Sequence, residues 1–156
     1  MIGGGKKIEN PMKMAKKCLK RGGEVTLKLE NSGVYVDDQK YLLCSHLTIT
    51  TSDGTMYTAG EFVDNRGPEW YSNYTGAKVE QTYFDLVDSL TEYIVDSLVK
   101  TLKRRGIKEG DIDYTDDAVY YFKDGKQHEL VFMKRSEEHN VGRHVYITIL
   151  RKPTIR

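Results

Sequence analysis

The sequence contains few cysteines, prolines and tryptophans. Its 156 residues include two cysteines, three prolines and one tryptophan. A single cysteine pair supplies neither a disulfide framework nor a set of metal ligands, so we interpret Cys18 and Cys44 as free thiols. A chain of this length can bury a core without such supports. We therefore predict one domain over residues 10–156, preceded by a flexible segment of residues 1–9, with no metal and no cofactor.

Long apolar segments are also absent. The composition is 38% hydrophobic and 30% charged, which is typical of soluble globular proteins. No run approaches the roughly 20 apolar residues of a membrane-spanning helix. The first residues lack the apolar core of a signal peptide. These absences predict a cytoplasmic protein that does not enter a membrane.

The chain has no large excess of either charge, but its charges are segregated. Residues 1–28 hold eight Lys and Arg against two acids, whereas residues 29–98 hold twelve acids against three bases, within a net charge of +1. Two interpretations follow. Folding interleaves these charges, or it creates a basic face for an anionic partner and a separate acidic face.

One segment strongly favours a helix. Between Lys78 and Gly106, apolar residues recur at intervals of three and four, the spacing of one face of an α-helix. This face consists of Tyr83, Val87, Leu90, Ile94, Leu98 and Leu102, widened by Phe84, Val95 and Val99. Acids come first and bases last on the other side, in the order that the helix dipole favours. A helix of about 25 residues is roughly 38 Å long, enough to back a sheet.

The remaining pattern predicts a short basic helix and a series of β-hairpins. Asn10 and Pro11 are typical of a helix start, and Gly22-Gly23 of its end. Alternating apolar and polar residues around turn formers predict three hairpins and a last strand. These are 24–36 with a turn at Asn31-Ser32-Gly33, 41–62 with a turn at Ser52-Asp53-Gly54, 118–134 with a turn at Asp124-Gly125, and 143–151. We expect an α+β two-layer sandwich, an antiparallel sheet of about seven strands backed by the long helix.

Two segments between these elements have no regular pattern. Residues 63–77 mix turn formers with Trp70, Tyr71 and Tyr74, which either anchor the segment in the core or form a recognition surface. Asp111–Asp117 is acidic, but it lacks the glycine and the distal glutamate of a calcium-binding EF-hand loop. We expect a solvated loop there rather than a metal site.

Histidines on two predicted strands suggest a possible chemistry. Period-two alternation places His46 and Thr48 on the polar face of one strand, and His144, Tyr146 and Thr148 on the polar face of another. The residues of the second strand expected to face inward are Val145, Ile147 and Ile149. If the two strands are neighbours, two imidazoles could flank a phosphate as general base and general acid.

His46-Leu47-Thr48 resembles one half of the paired His-x-Thr/Ser signature of the 2H phosphoesterases. His144-Val145-Tyr146 would be the other half, with tyrosine where that family has serine or threonine. The resemblance covers these six residues. It implies a metal-independent hydrolase of cyclic or linear phosphodiesters whose site residues are His46, Thr48, His144 and Tyr146.

Two binding hypotheses stand beside this enzyme. In the first, the protein is a non-catalytic binding or regulatory factor, of the kind that phages and mobile elements encode, and engages a protein or anionic partner or a second copy of itself. In the second, its basic N-terminal helix binds nucleic acid, with an affinity that falls steeply with salt. The candidate binding residues are Lys13, Lys16, Lys17, Lys20, Arg21, Trp70, Tyr71 and Tyr74.

Overall fold

The structure is a computed structural model that describes residues 10–37, 40–64 and 77–156. Side chains are described for residues 10–32, 44–61 and 78–156. The predicted flexible segment of residues 1–9 lies outside these ranges.

Helices and antiparallel strands make up most of the described chain, which confirms the predicted α+β class. The helices are α1 (Pro11–Lys20) and α2 (Ala77–Arg104), with a short 3-10 helix at Glu109–Asp111. The strands are β1 (Glu24–Asp37), β2 (Lys40–Thr51), β3 (Met56–Asp64), β4 (Ile112–Tyr114), β5 (Ala118–Lys123), β6 (Lys126–Val131), β7 (Met133–Asn140) and β8 (Arg143–Arg151). None of the helices in the described ranges is long and apolar enough to cross a membrane.

The strands form two sheets rather than the single sheet of about seven strands that we predicted. One sheet has five strands in the order β3-β2-β1-β8-β7, and the other has three in the order β4-β5-β6. The chain passes between them at Phe132, which is buried. Its amide donates to the carbonyl of Asp117, the residue just before β5 of the small sheet, at 2.9 Å, and its carbonyl accepts from the amide of Arg151 in the large sheet at 2.9 Å. The second strand of the predicted third hairpin is therefore interrupted at Phe132: its first part, β6, belongs to the small sheet, and its last residues begin β7 of the large sheet.

α2 confirms the long predicted helix and backs the five-stranded sheet. All six residues of its predicted apolar face are buried. They join one core with the fully buried strand residues Val25, Leu27, Leu29, Leu47 and Ile49. Each such side chain contributes about 1.5–3 kcal/mol when it leaves water. Past the helix end, the amide of Ile107 donates to the carbonyl of Leu102 at 3.0 Å around Gly106, whose φ of +91° suits glycine.

α1 confirms the short basic helix. The side chain of Asn10 caps it by accepting a hydrogen bond from the amide of Met12 at 2.9 Å, and Pro11 occupies the first turn. Ala15 and Leu19 are buried in the same core as α2, so α1 leaves its charged residues at the surface. Cys18 is a free thiol, as is Cys44 on β2, in agreement with the prediction.

The first predicted hairpin is wrong, because Asn31-Ser32-Gly33 lies inside the continuous strand β1. Pairing on both sides keeps this segment extended: Asn31 lies opposite Ser45 on β2 and opposite His144 on β8. The Asn31 carboxamide oxygen accepts a hydrogen bond from the Ser45 hydroxyl at 2.7 Å. The Asn31 side chain, which is typical of a turn, is therefore hydrogen-bonded to the neighbouring strand.

The second hairpin is confirmed, with Gly54 at a φ of +91° in its turn and Asp53 accepting from the amide of Thr55 at 3.0 Å. The third is confirmed at its turn, where Asp124 and Gly125 both have positive φ. The acidic segment Asp111–Asp117 is not only a loop, since it contains β4. Strand β7 was missed because its sequence is almost entirely polar.

Candidate functional site

The two strand histidines lie on opposite faces of the five-stranded sheet. His46 pairs with Glu30 of β1, and His144 pairs with the adjacent residue, Asn31. Neighbouring residues of a strand point to opposite faces, and directly paired residues share a face. His46, with Thr48, is therefore on the face opposite α2, whereas His144 is on the face that α2 covers. This register does not bring the two halves of the predicted phosphate site together.

The orientation that we predicted for β8 is reversed. Thr148 is 1% exposed and its hydroxyl is hydrogen-bonded to the phenol of Tyr83 on α2. Tyr146 and His144 share this helix-facing side. Val145, Ile147 and Ile149 are on the opposite face, where Val145 is nevertheless only 1% exposed. Apolar or β-branched residues occupy both faces of β8, so alternation alone does not identify the inward one. Thr148 is buried on the helix-facing side together with Leu150, and its hydroxyl is bonded to Tyr83 of α2.

His144 belongs instead to a cluster at one end of the covered face, which we call the aromatic–histidine cluster. Its members are Tyr83, Phe84, Glu137, His139, His144 and Tyr146. The Nε2 atom of His144 lies 2.5 Å from a carboxylate oxygen of Glu137. The His144 ring is 4.2 Å from that of Tyr146 and 4.5 Å from that of His139, centroid to centroid. The cluster thus fixes one imidazole between a carboxylate and two rings.

Both phenols of the cluster remain neutral at physiological pH. Burial raises the pKa of Tyr83, although the hydrogen bond with Thr148 and the charge of Arg135 oppose this. Burial also raises the pKa of Tyr146, and the negative charges of Glu80 and Glu137 add to it. In the part of the chain that the structure describes, no group of His, Cys, Asp and Glu side chains is arranged to hold a metal ion.

A groove of about 560 Å³ opens beside this cluster, between α2 and strands β7 and β8. We call it the strand-edge groove. Its side chains include three rings, those of Tyr83, Phe84 and Tyr146, three carboxylates, those of Asp88, Asp116 and Glu137, and one cation, Arg135. Phe84 was predicted to widen the buried face of the helix, but it is 41% exposed. It presents an aromatic surface to this groove.

A second groove, of about 400 Å³, separates α1 from α2 and is basic. We call it the lysine groove. It is lined by Asn10, Met12, Lys13, Lys16, Lys17, Lys20 and Tyr93. The lysines recur at three- and four-residue steps and therefore share one face of α1. The ammonium group of Lys16 lies 5.6 Å from the centre of the Tyr93 ring. Four of the predicted binding residues thus converge on one concave surface.

The other predicted binding residues are placed differently. Arg21 does not line the lysine groove; it lies with Lys17, Cys18 and Ser52 in a neighbouring depression. Trp70, Tyr71 and Tyr74 lie outside the described residues. Sequence reasoning missed Tyr93, which it had no reason to separate from other residues of the long helix, and Glu137 and His139, because it did not predict β7.

Comparison of the chain with protein-family models, with curated proteins and with solved structures finds no significant match.

Proposed function

We propose that this protein acts by binding rather than by catalysis, and that its lysine groove holds the phosphate backbone of a single-stranded nucleic acid. The observation that carries this proposal is the convergence of four lysines on one groove that the partly buried ring of Tyr93 also lines. A cationic groove with an aromatic ring is how proteins bind single strands without regard to sequence. The lysines supply affinity through phosphate contacts, which position a strand but read no bases.

The fold supports this use of α1. Its Ala15 and Leu19 are buried, so packing on the core fixes which face of the helix carries the lysines. We propose that α2 and the five-stranded sheet form the two layers of a sandwich. In this arrangement α1 packs against the sandwich and presents its lysines on one side of the lysine groove. Because α1 is already folded, its backbone does not have to become ordered when the lysines bind a single strand, which lowers the entropic cost of binding.

The alternative of a two-histidine phosphodiesterase receives no support from the geometry. His46 and His144 leave opposite faces of one sheet, so a single phosphate cannot lie between them. The nucleic-acid proposal needs neither histidine.

The test is fluorescence anisotropy with a labelled oligothymidine of 20 nucleotides, on nuclease-treated protein. Four phosphate contacts give a slope of log affinity against log salt of about −2.8 for a single strand. Affinity should therefore fall roughly 50-fold between 50 and 200 mM salt. Binding that is absent at 50 mM salt, or that does not change with salt, contradicts the proposal.

A matched pair of variants locates the site. The double variant Lys13→Ala, Lys20→Ala removes two groove lysines and should reduce the magnitude of the slope by about 1.4. The control Lys123→Ala, Lys126→Ala removes the same charge from the exposed hairpin turn of the small sheet. If both variants weaken binding equally, net charge rather than the lysine groove is responsible.

A further inference from the structure

The strand-edge groove adjoins an open edge of the large sheet. In the described residues, β7 pairs with β8 on one side and has no ladder partner on the other. From Lys134 to Asn140 every residue of this strand is exposed. An edge of this kind presents backbone N–H and C=O groups at alternate residues, and an extended peptide can add to it as a further strand.

The groove is placed to receive side chains from such a strand. Arg135 and Glu137 of β7 pair with Thr148 and Tyr146, so they point to the side of the sheet that α2 covers. Alternate residues of an added strand would point to the same side. They would enter the space between β7 and α2, where Phe84 is exposed.

The charges of the groove select the kind of side chain that fits. Asp88, Asp116 and Glu137 outnumber Arg135. The Nε of Arg135 already donates to the sulfur of Met133 at 3.0 Å, and one carboxylate oxygen of Glu137 already lies 2.5 Å from Nε2 of His144. The rings beside these carboxylates belong to Phe84, which is exposed, and to Tyr146, which is partly buried; their centroids are 6.2 Å apart. A guanidinium group stacks on aromatic faces and bonds carboxylates with two parallel hydrogen bonds, so arginine satisfies both features at once.

We propose that the β7 edge and the strand-edge groove form a docking site for an extended, arginine-containing segment of a partner protein. The segment pairs with β7 through its backbone and places alternate arginines between the rings of Phe84 and Tyr146 and the carboxylates of Asp88 and Glu137. This site is separate from the lysine groove, has the opposite charge, and does not depend on nucleic-acid binding.

The test uses a fluorescein-labelled octapeptide of alternating threonine and arginine as the probe, measured by anisotropy. Two control peptides have the same length. One carries glutamate in place of arginine, and the other keeps the sequence but is methylated on every backbone nitrogen. The proposal requires binding of the first peptide and at least about tenfold weaker binding of both controls, the change that one charge-assisted contact gives. Equal binding of the methylated peptide overturns strand addition.

Variants test the location of the site. The double variant Asp88→Asn, Glu137→Gln keeps the shape of both side chains and should weaken the arginine peptide about tenfold or more. Phe84→Ala should weaken it through loss of stacking. The control Asp96→Asn removes an exposed carboxylate of α2 that does not line the groove and should leave affinity unchanged. Equal losses in Asp96→Asn and in the double variant contradict the site.

Hydrogen exchange and oligomeric state complete the test. Bound peptide should slow amide exchange within residues 134–140 and leave α1 unchanged. If the protein instead dimerises through the β7 edge and the peptide does not bind, the occupant is a second copy of the chain and the proposal is wrong.

Discussion

The lysine groove and the strand-edge groove are built on the same helix but have opposite charge. Each uses a tyrosine of α2, Tyr93 in the first and Tyr83 in the second. Ten residues separate them, which is about 15 Å along a helix axis. The lysines of the first groove come from the neighbouring helix α1. The carboxylates of the second come from three places: Asp88 of α2 itself, Asp116 before β5, and Glu137 of β7. One amphipathic helix can thus support two surfaces of different chemistry.

The two grooves also differ in how they are assembled. The lysine groove takes its charge from four residues within two turns of α1. The strand-edge groove combines side chains of α2, of the segment before β5 and of β7 and β8. Its geometry depends on the completed sheet, whereas the row of lysines needs only a helix.

The largest effect on stability is expected from a cavity in the buried face of α2, the helix that lines both grooves. Ile94 is fully buried on α2 and directly follows Tyr93 in sequence. Ile94→Ala should lower the free energy of unfolding by about 2–5 kcal/mol because it leaves a cavity in the core. Urea denaturation measures this loss. Lys100→Ala, on the exposed side of the same helix, is the control and should change the free energy by less than about 0.5 kcal/mol.

A variant of intermediate effect should change binding at the lysine groove without changing binding at the strand-edge groove. Tyr93→Ala should weaken oligothymidine binding by about 1–3 kcal/mol if a base stacks on this ring, and should leave the arginine peptide unaffected. Tyr93→Phe keeps the ring and should bind both probes like the unchanged protein. A loss of equal size in Tyr93→Phe would mean that the hydroxyl group, not the ring, makes the contact.

The smallest effect concerns Tyr83. Tyr83→Phe removes the hydrogen bond to the buried hydroxyl of Thr148 and should lower the free energy of unfolding by about 1 kcal/mol. Tyr114→Phe, at an exposed phenol of β4, should change it little. Urea denaturation at neutral pH compares the two variants.

Alkaline pH gives this prediction a second readout. Because the folded-state pKa of Tyr83 is raised, folded protein keeps the phenol proton that unfolded protein releases near pH 10. Stability should therefore fall as pH rises from about 10 through the raised pKa. Tyr83→Phe should reduce this fall. Tyr146, whose pKa is also raised, should preserve part of it. A fall of unchanged size in Tyr83→Phe would show that Tyr83 does not contribute.

Local sequence patterns were enough to predict the helices. The strand register and the buried face of each strand depend on pairing between distant segments, which local patterns do not predict. The spacing of Lys13, Lys16, Lys17 and Lys20 was enough to place them on one helix face, because that depends only on helical periodicity. The burial of Thr148 depended on Tyr83, which is 65 positions away in sequence. Asn31 is typical of a turn, but in the structure it is bonded to Ser45, 14 positions away, across the sheet. Sequence reasoning alone cannot determine such partners, since they come from the pairing of distant strands.

The position of β8 has a consequence for how the chain folds. This last strand lies between β1 and β7 in the large sheet, and Glu24 pairs with Arg151 across more than one hundred residues. Contacts so distant in sequence close large loops and slow folding. During synthesis β1, β2 and β3 leave the ribosome long before β8 exists, with one edge of β1 unpaired. The large sheet is therefore completed only when the last residues of β8 have been made, and until then the edge of β1 is a site for misassembly.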